Sequence, residues 1–248
     1  MLENKKVIIF DMDGTLIDSL GMWNKTDELL ISKLNNSIPK VTNIQQIRDS
    51  ILLKCNSNNI YIEYCDFLRK EFNLTLPAEE IFDLRCKISN YFSINKLDYK
   101  PNADKLLHIL KNKGYTLAIA TTTAQKQMDI YKKYNKNIME KANIENIFSL
   151  VLTQDDVTEK KPSPEVHNKI MQLLGVEPNQ CLIIEDSLIG VQAGRNAGIE
   201  VATIYDKYSD CDRKEINELS QYQFKDYNSM INYIQKEIEP LKDEDYIR

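Results

Sequence analysis

The stretch Val7-Ile8-Ile9-Phe10-Asp11-Met12-Asp13-Gly14-Thr15 limits what this chain can fold into more than any other. Four successive apolar residues, the first three β-branched, predict a strand buried on both faces of a parallel sheet, since a half-buried strand would alternate. The strand runs directly into Asp11 and Asp13, and Gly14 permits a sharp change of direction. Carboxylates at the end of a buried strand are costly unless they are paired. A bound cation would offset that cost, and ligands of open α/β sheets sit just beyond the carboxyl ends of the strands. Alone, Asp-x-Asp-Gly would equally suit a surface turn; directly after VIIF, a buried site is the better reading.

Beyond Asp18-Ser19 the pattern turns helical. Apolar residues recur at helical spacing over 22–36 (Met22, Leu29, Leu30, Leu34), 43–53 (Ile44, Ile47, Ile51, Leu52), 59–72 (Tyr64, Cys65, Leu68, Phe72) and 77–92 (Ile81, Leu84, Ile88, Tyr91). Pro77 suits a first helical position, with Glu79 and Glu80 favourable beside it. Residues 19–96 therefore read as an all-helical insertion in a core made of 1–18 and 97–248.

From Pro101 helix and strand alternate. A helix over 102–113 ends at Gly114, and strand Thr116–Ala120 ends at Thr121-Thr122-Thr123. A long polar helix and connector, 124–146, leads to a strand over 148–152. Ser163 is placed to cap a helix with Pro164 at its first position and Gly175 closing it. Strand Cys181–Ile184 ends at Glu185-Asp186, followed by a helix closed at Gly198. Val201–Tyr205 reads as the last clear strand and 228–238 as the last helix. Repeated units of this kind predict a doubly wound, Rossmann-like parallel sheet.

Several functions are disfavoured. A net charge of −5 lacks the basic stripe of a nucleic-acid binder, and no apolar run is long enough for a membrane span. Asp11 interrupts the apolar run too soon for a signal peptide. Cys55, Cys65, Cys86, Cys181 and Cys211 are odd in number, widely spaced and without CxxC. They predict reduced, mostly buried thiols in a cytoplasmic protein. His108 and His167 lie in helical patterns and read as structural. Gly190, Gly194 and Gly198 recur every four residues, which reads as a helix packed close to the sheet, since Gln192, Arg195 and Asn196 exclude a membrane helix. There is no GxGxxG and no GxxxxGK[ST], so nucleotide binding of those kinds has no support.

Four strand ends now carry functional groups: Asp11 with Asp13, Thr121, the Lys160-Lys161-Pro162 loop, and Glu185 with Asp186. In a parallel sheet they share one edge. Carboxylates without His or thiolate suit a hard cation such as Mg²⁺, and a lysine and a hydroxyl would complement phosphate charge. A carboxylate can also act as nucleophile while a second one donates and accepts protons. The parts fit phosphoryl transfer.

FDMDGTLIDS, the strand ending at Thr121, KKPSPE and IIEDSLIG in this order resemble the haloacid dehalogenase superfamily, in its β-phosphoglucomutase-like phosphatase branch. The resemblance implies that Asp11 is the nucleophile and Asp13 the general acid/base. It implies that Thr121, Thr122 and Lys161 bind the phosphoryl group. A Mg²⁺ ion would be held by Asp11, the Asp13 carbonyl, Asp186 and Glu185, the last directly or through water. The insertion would be the mobile helical cap of that branch, closing over the site. Two departures stand out: Thr122 where the family often has Asn, and a connector longer than usual over 124–146. The expected function is a Mg²⁺-dependent phosphatase of a small phosphorylated metabolite, working as a cytoplasmic monomer. A sugar-phosphate mutase and a catalytically idle binding protein on the same fold are the alternatives. Against the mutase, Trp23 stands where β-phosphoglucomutases resemble one another in carrying a histidine at the start of the cap, and an indole cannot shuttle that proton.

Overall fold

The computed structural model describes residues 1–35, 44–54 and 60–238. They form two compact units, Met1–Asp18 with Asp98–Arg248, and Ser19–Leu97. In the first, six parallel strands are ordered β3-β2-β1-β4-β5-β6. They are β1 (Val7–Phe10), β2 (Thr116–Ala120), β3 (Leu150–Leu152), β4 (Cys181–Glu185), β5 (Glu200–Ile204) and β6 (Tyr222–Phe224). Every residue of β1 is buried, as four consecutive apolar side chains require of a central strand. The strand order reverses between β1 and β4, so the crevice beyond their carboxyl ends is where such a sheet binds ligands.

The second unit contains helices α1 (Leu20–Asn35), α2 (Ile44–Lys54), α3 (Ile60–Glu71) and α4 (Ala78–Asn95), and no strand among its described residues. Its core is Leu30, Ile31, Ile44, Tyr64, Cys65, Leu68, Ile81 and Ile88. Asp27, fully buried, accepts hydrogen bonds from Arg48 Nη1 (3.0 Å), Arg85 Nε (2.6 Å) and Tyr64 Oη (2.8 Å). The Arg85 guanidinium lies 5.0 Å over the Trp23 ring.

The remaining α-helices described belong to the sheet unit: α5 (Ala103–Asn112), α6 (Gln125–Lys133), α7 (Lys136–Ala142), α8 (Ile144–Ile147), α9 (Glu165–Leu174), α10 (Leu188–Asn196), α11 (Arg213–Leu219) and α12 (Tyr227–Ile238). Alternate strand residues turn to opposite faces. Val7, Ile9, Ala118, Ile183 and Val201 pack against Val166 and Ile170 of α9, Val191 of α10 and Ile216 of α11. On β1's other face Phe10 meets Phe148 edge-on, with ring centroids 6.1 Å apart. The chain leaves for the helical unit and returns through adjacent segments, with Ile17 bridged to Tyr99 and Asp18 N–H donating to Asp98 O at 3.3 Å.

Several sequence expectations need correcting. The last clear strand is Glu200–Ile204, without Tyr205, and a short further strand, β6, follows it. The polar 124–146 segment is three helices, broken at Asn135 and Asn143, whose side chains cap α7 and α8. Phe148 and Ser149 precede β3, since Phe148 N–H still closes the last turn of α8. Pro77 and Pro164 occupy cap positions and not the first helical turn, although Ser163 Oγ does accept from Glu165 N–H at 3.3 Å. Among the cysteines, Cys65 and Cys181 are buried, but Cys86 is half-buried and Cys211 exposed. Cys55 lies outside the described residues.

Candidate active site

Asp11 follows the last residue of β1 and continues the ladder, its N–H donating to Ile184 O at 3.0 Å. Gly14, at φ +90°, then turns the chain; a Cβ there would stand 2.6 Å from Asp186 Oδ2. Only glycine fits both demands. The turn brings Thr15 Oγ1 to donate to Asp186 Oδ1 at 2.7 Å, and Tyr227 of α12 fixes the turn through Thr15 O at 3.0 Å.

Lys161 lies 150 residues from Asp11 in sequence, yet its Nζ donates to Asp11 Oδ1 and Glu185 Oε1, both at 2.7 Å. The loop that carries it is tied down on three sides. Glu165 accepts from the N–H groups of Thr158 (2.8 Å) and Glu159 (2.7 Å), Lys169 Nζ holds Asp156 O, and Asn196 Nδ2 holds Pro162 O. Glu185, the last residue of β4, is equally constrained. Its Oε2 accepts from Asp186 N–H, Ser187 N–H and Ser187 Oγ at 2.8–3.0 Å. Gly190 provides its room, since a Cβ there would lie 1.6 Å from Glu185 Oε1. At Gly194 the equivalent obstacles are Val201 and Ile183. The glycine spacing thus serves close packing at one end and a carboxylate at the other.

Asp11, Glu185 and Asp186 bring one carboxylate oxygen each within 4.8 Å of one another, all buried. Within the cluster Lys161 pairs with Asp11 and Glu185, while Lys100, paired with Asp206, acts on Asp186 from outside it. Burial first, then the charges of Glu185 and Asp186, push the Asp11 carboxyl well above its ordinary value despite Lys161. Burial and Glu185 raise Asp186 to about 7, against the pull of Lys100. Burial alone would lower Lys161, but Asp11 and Glu185 outweigh it and hold the ammonium charged. The cluster is short of positive charge, and three oxygen ligands with no nitrogen or sulfur suit a hard divalent cation. The residues present fit Mg²⁺.

Asp13 points elsewhere. Its Oδ2 accepts from Thr123 Oγ1 and its Oδ1 from Tyr131 Oη at 3.1 Å. Thr121 is buried at the end of β2, and its Oγ1 accepts from Thr123 N–H at 3.1 Å, while Thr122 is exposed. Ser209 Oγ also reaches Asp186 Oδ2, at 3.3 Å. Sequence reasoning missed Thr123, Tyr131 and Ser209. Thr123 lay in a visible hydroxyl run, whereas Tyr131 and Ser209 carried no signal.

A family model described as haloacid dehalogenase-like hydrolase matches residues 8–204. The chain belongs to that family. It is 26% identical over 203 residues to the pyrophosphatase PpaX of Bacillus cereus, covering 79% of this chain and 82% of the relative. It is 28% identical over 202 residues to the phosphoglycolate phosphatase of Aquifex aeolicus, covering 79% and 83%. Among solved structures, a Thermotoga maritima protein provisionally named a β-phosphoglucomutase superposes with TM-score 0.74 at 23% identity, covering 94% of this chain and all of that one. The last likeness establishes the fold. Among the described residues no helix is long and apolar enough to cross a membrane.

Proposed function

We propose that this haloacid dehalogenase-like hydrolase is a Mg²⁺-dependent phosphatase that cleaves a small phosphate monoester through a phosphorylated Asp11. The observation that carries the reading is the buried set Asp11, Lys161, Glu185 and Asp186 at the switch point of the sheet, where carboxylates outnumber the one ammonium. The phosphatases among its relatives support the same class of reaction.

In this reading Asp11 attacks phosphorus, and the ester oxygen departs with a proton from Asp13. Water then attacks the aspartyl phosphate as Asp13 takes its proton back, freeing phosphate and Asp11. Lys161 and Thr121, with Thr122 at the rim, are assigned to the phosphoryl oxygens, where a fixed ammonium and a hydroxyl favour the developing charge. Asp11, the Asp13 carbonyl and Asp186 would hold Mg²⁺. When bound, it supplies charge neutralisation for the phosphoryl group and the carboxylates. Glu185 already accepts four hydrogen bonds from Lys161, Asp186 and Ser187, which assigns it to orient Lys161 and to reach the cation through water. The unit Ser19–Leu97 is assigned the role of the cap that selects the leaving group. The working form is proposed to be a cytoplasmic monomer.

Purified protein should release phosphate from para-nitrophenyl phosphate and from members of a phosphometabolite panel in Mg²⁺, poorly in Ca²⁺, and not in excess EDTA. Ca²⁺ takes more ligands at longer distances and would misplace Asp11. Equal rates in all three would overturn the metal assignment, and no phosphate release from any ester would overturn the reading. The likeness to a protein named for mutase chemistry favours one alternative. Rapid conversion of β-glucose 1-phosphate to glucose 6-phosphate, primed by glucose 1,6-bisphosphate and with little phosphate released, would promote it.

A further inference from the structure

Tyr131 is a residue that the fold does not need in this form. It sits on α6, is fully buried, and could fill its place as a phenylalanine. Instead its hydroxyl donates to Asp13 Oδ1 at 3.1 Å, across 118 residues of sequence. The other oxygen, Oδ2, accepts from Thr123 Oγ1. Both donors come from the single segment that follows β2. That segment is itself anchored, since Asp155 Oδ2 accepts from Gln125 N–H at 2.7 Å where α6 begins. One turn before Tyr131, at the spacing that brings helix side chains together, Gln127 hydrogen-bonds the same phenol.

A carboxylate turns easily about its last torsion, which is broad and roughly two-fold. A general acid must present its proton along a defined line to the departing oxygen, so an unrestrained Asp13 would spend much of its time misaimed. Two donors on two different oxygens fix the carboxylate plane. Asp13 is only half-buried, so desolvation does not by itself demand a buried phenol as partner. A phenol facing a carboxylate oxygen can only donate to it, so Tyr131 serves Asp13 as a hydrogen-bond donor.

We propose that Tyr131, steadied by Gln127, is a positioning residue that aims the Asp13 carboxyl at the leaving oxygen during phosphate ester cleavage. This rests on the phosphatase reading above and adds a specificity to it. The contribution of Tyr131 belongs to proton donation and so scales with how much the leaving group needs a proton.

The test compares kcat/KM, which reports the step that expels the leaving group, for phenyl phosphate and dinitrophenyl phosphate in Mg²⁺. Phenoxide is strongly basic and needs protonation to leave; dinitrophenoxide does not. Tyr131→Phe should lower kcat/KM for phenyl phosphate by about tenfold more than for dinitrophenyl phosphate, a part of the factor that general acid catalysis supplies. Gln127→Leu should shift the same ratio in the same direction by roughly threefold, since it acts through one further hydrogen bond. Equal losses on both esters, as generic damage to the fold would give, overturn the proposal, and so does no loss on either. If circular dichroism shows Tyr131→Phe unfolded, the half-buried Gln127 variant decides alone. A wild-type protein that cleaves neither ester in Mg²⁺ removes the phosphatase reading and the proposal with it, an outcome seen before any variant is made.

Discussion

Two buried charge clusters, one in each unit, are built from similar groups and balanced differently. In the helical unit one carboxylate, Asp27, receives Arg48, Arg85 and Tyr64. In the sheet unit one ammonium, Lys161, faces Asp11 and Glu185 with Asp186 beside them. A buried carboxylate that receives several protein donors is complete as it stands, and its network serves packing and registry. A buried group of carboxylates with one cation is incomplete and needs positive charge from elsewhere. Carboxylates paired with cations in both places thus separate into a structural network and a candidate site once the charges are counted.

The contrast breaks most visibly at Asp11. Asp11→Asn keeps the shape and can still accept from Lys161, but an amide cannot be the nucleophile, so turnover should fall by roughly four orders of magnitude or more. Stability should move the other way. A carboxyl whose folded-state pKa is raised opposes folding once pH exceeds the ordinary carboxylate range, because ionising it costs more in the folded protein. The amide escapes that cost. The variant should therefore melt no lower than wild type in EDTA at pH 8. Full activity would overturn the role of Asp11, and a large fall in melting temperature would overturn the charge argument.

The opposite sign is expected at Arg85. Arg85→Met leaves Asp27 buried without its 2.6 Å partner and removes the cation over Trp23 and Tyr64. Breaking a buried pair from one side costs about 3–5 kcal/mol, measurable as a lower urea midpoint at unchanged slope. An unaltered midpoint would mean that the network adds nothing to stability, and the comparison between the two clusters would fail.

How far these features were legible in the chain depends on where they sit. The carboxyl end of each parallel strand falls on one edge, so Asp11, Lys161, Glu185 and Asp186 could be grouped from sequence although 150 residues separate the first two. Gly14 was readable for the same reason, as the turn after a strand. Tyr131 and Ser209 reach the site from the face of a helix and from a short 3-10 helix, Lys207–Asp212, beyond β5. No local pattern marks which helix residue points at a carboxylate 118 positions away. β6 was hidden because Tyr222-Gln223-Phe224 is only three residues long, with an exposed amide in the middle. Pro77 and Pro164 were placed one position late because a fixed φ suits both the cap and the first turn. In the helical unit the apolar periodicity found the helices, but nothing in it paired Asp27 with Arg85, 58 residues apart.

The smallest effect concerns His167, which sharpens the comparison because it lies near the site while belonging to neither cluster. It sits on α9, 1% exposed, and neither ring nitrogen has a hydrogen-bond partner. Burial, reinforced by the Lys161 ammonium, lowers it to about 3. The folded protein therefore holds His167 neutral while the unfolded chain protonates it near its ordinary value of about 6.5. A base whose folded-state value is depressed gives stability that is complete above the unfolded value and is lost as pH falls toward the folded one. That part of wild-type stability should decline between about pH 6.5 and 3. His167→Met keeps an apolar side chain in the same place and removes the titration. Its stability relative to wild type should rise steadily across this window and level off below it, by up to a few kcal/mol. Urea midpoints measured in EDTA at several pH values from 7 to 4 decide it. Parallel curves for the two proteins would mean that His167 finds a partner for its proton, and Lys161 would then not be the charge that faces it.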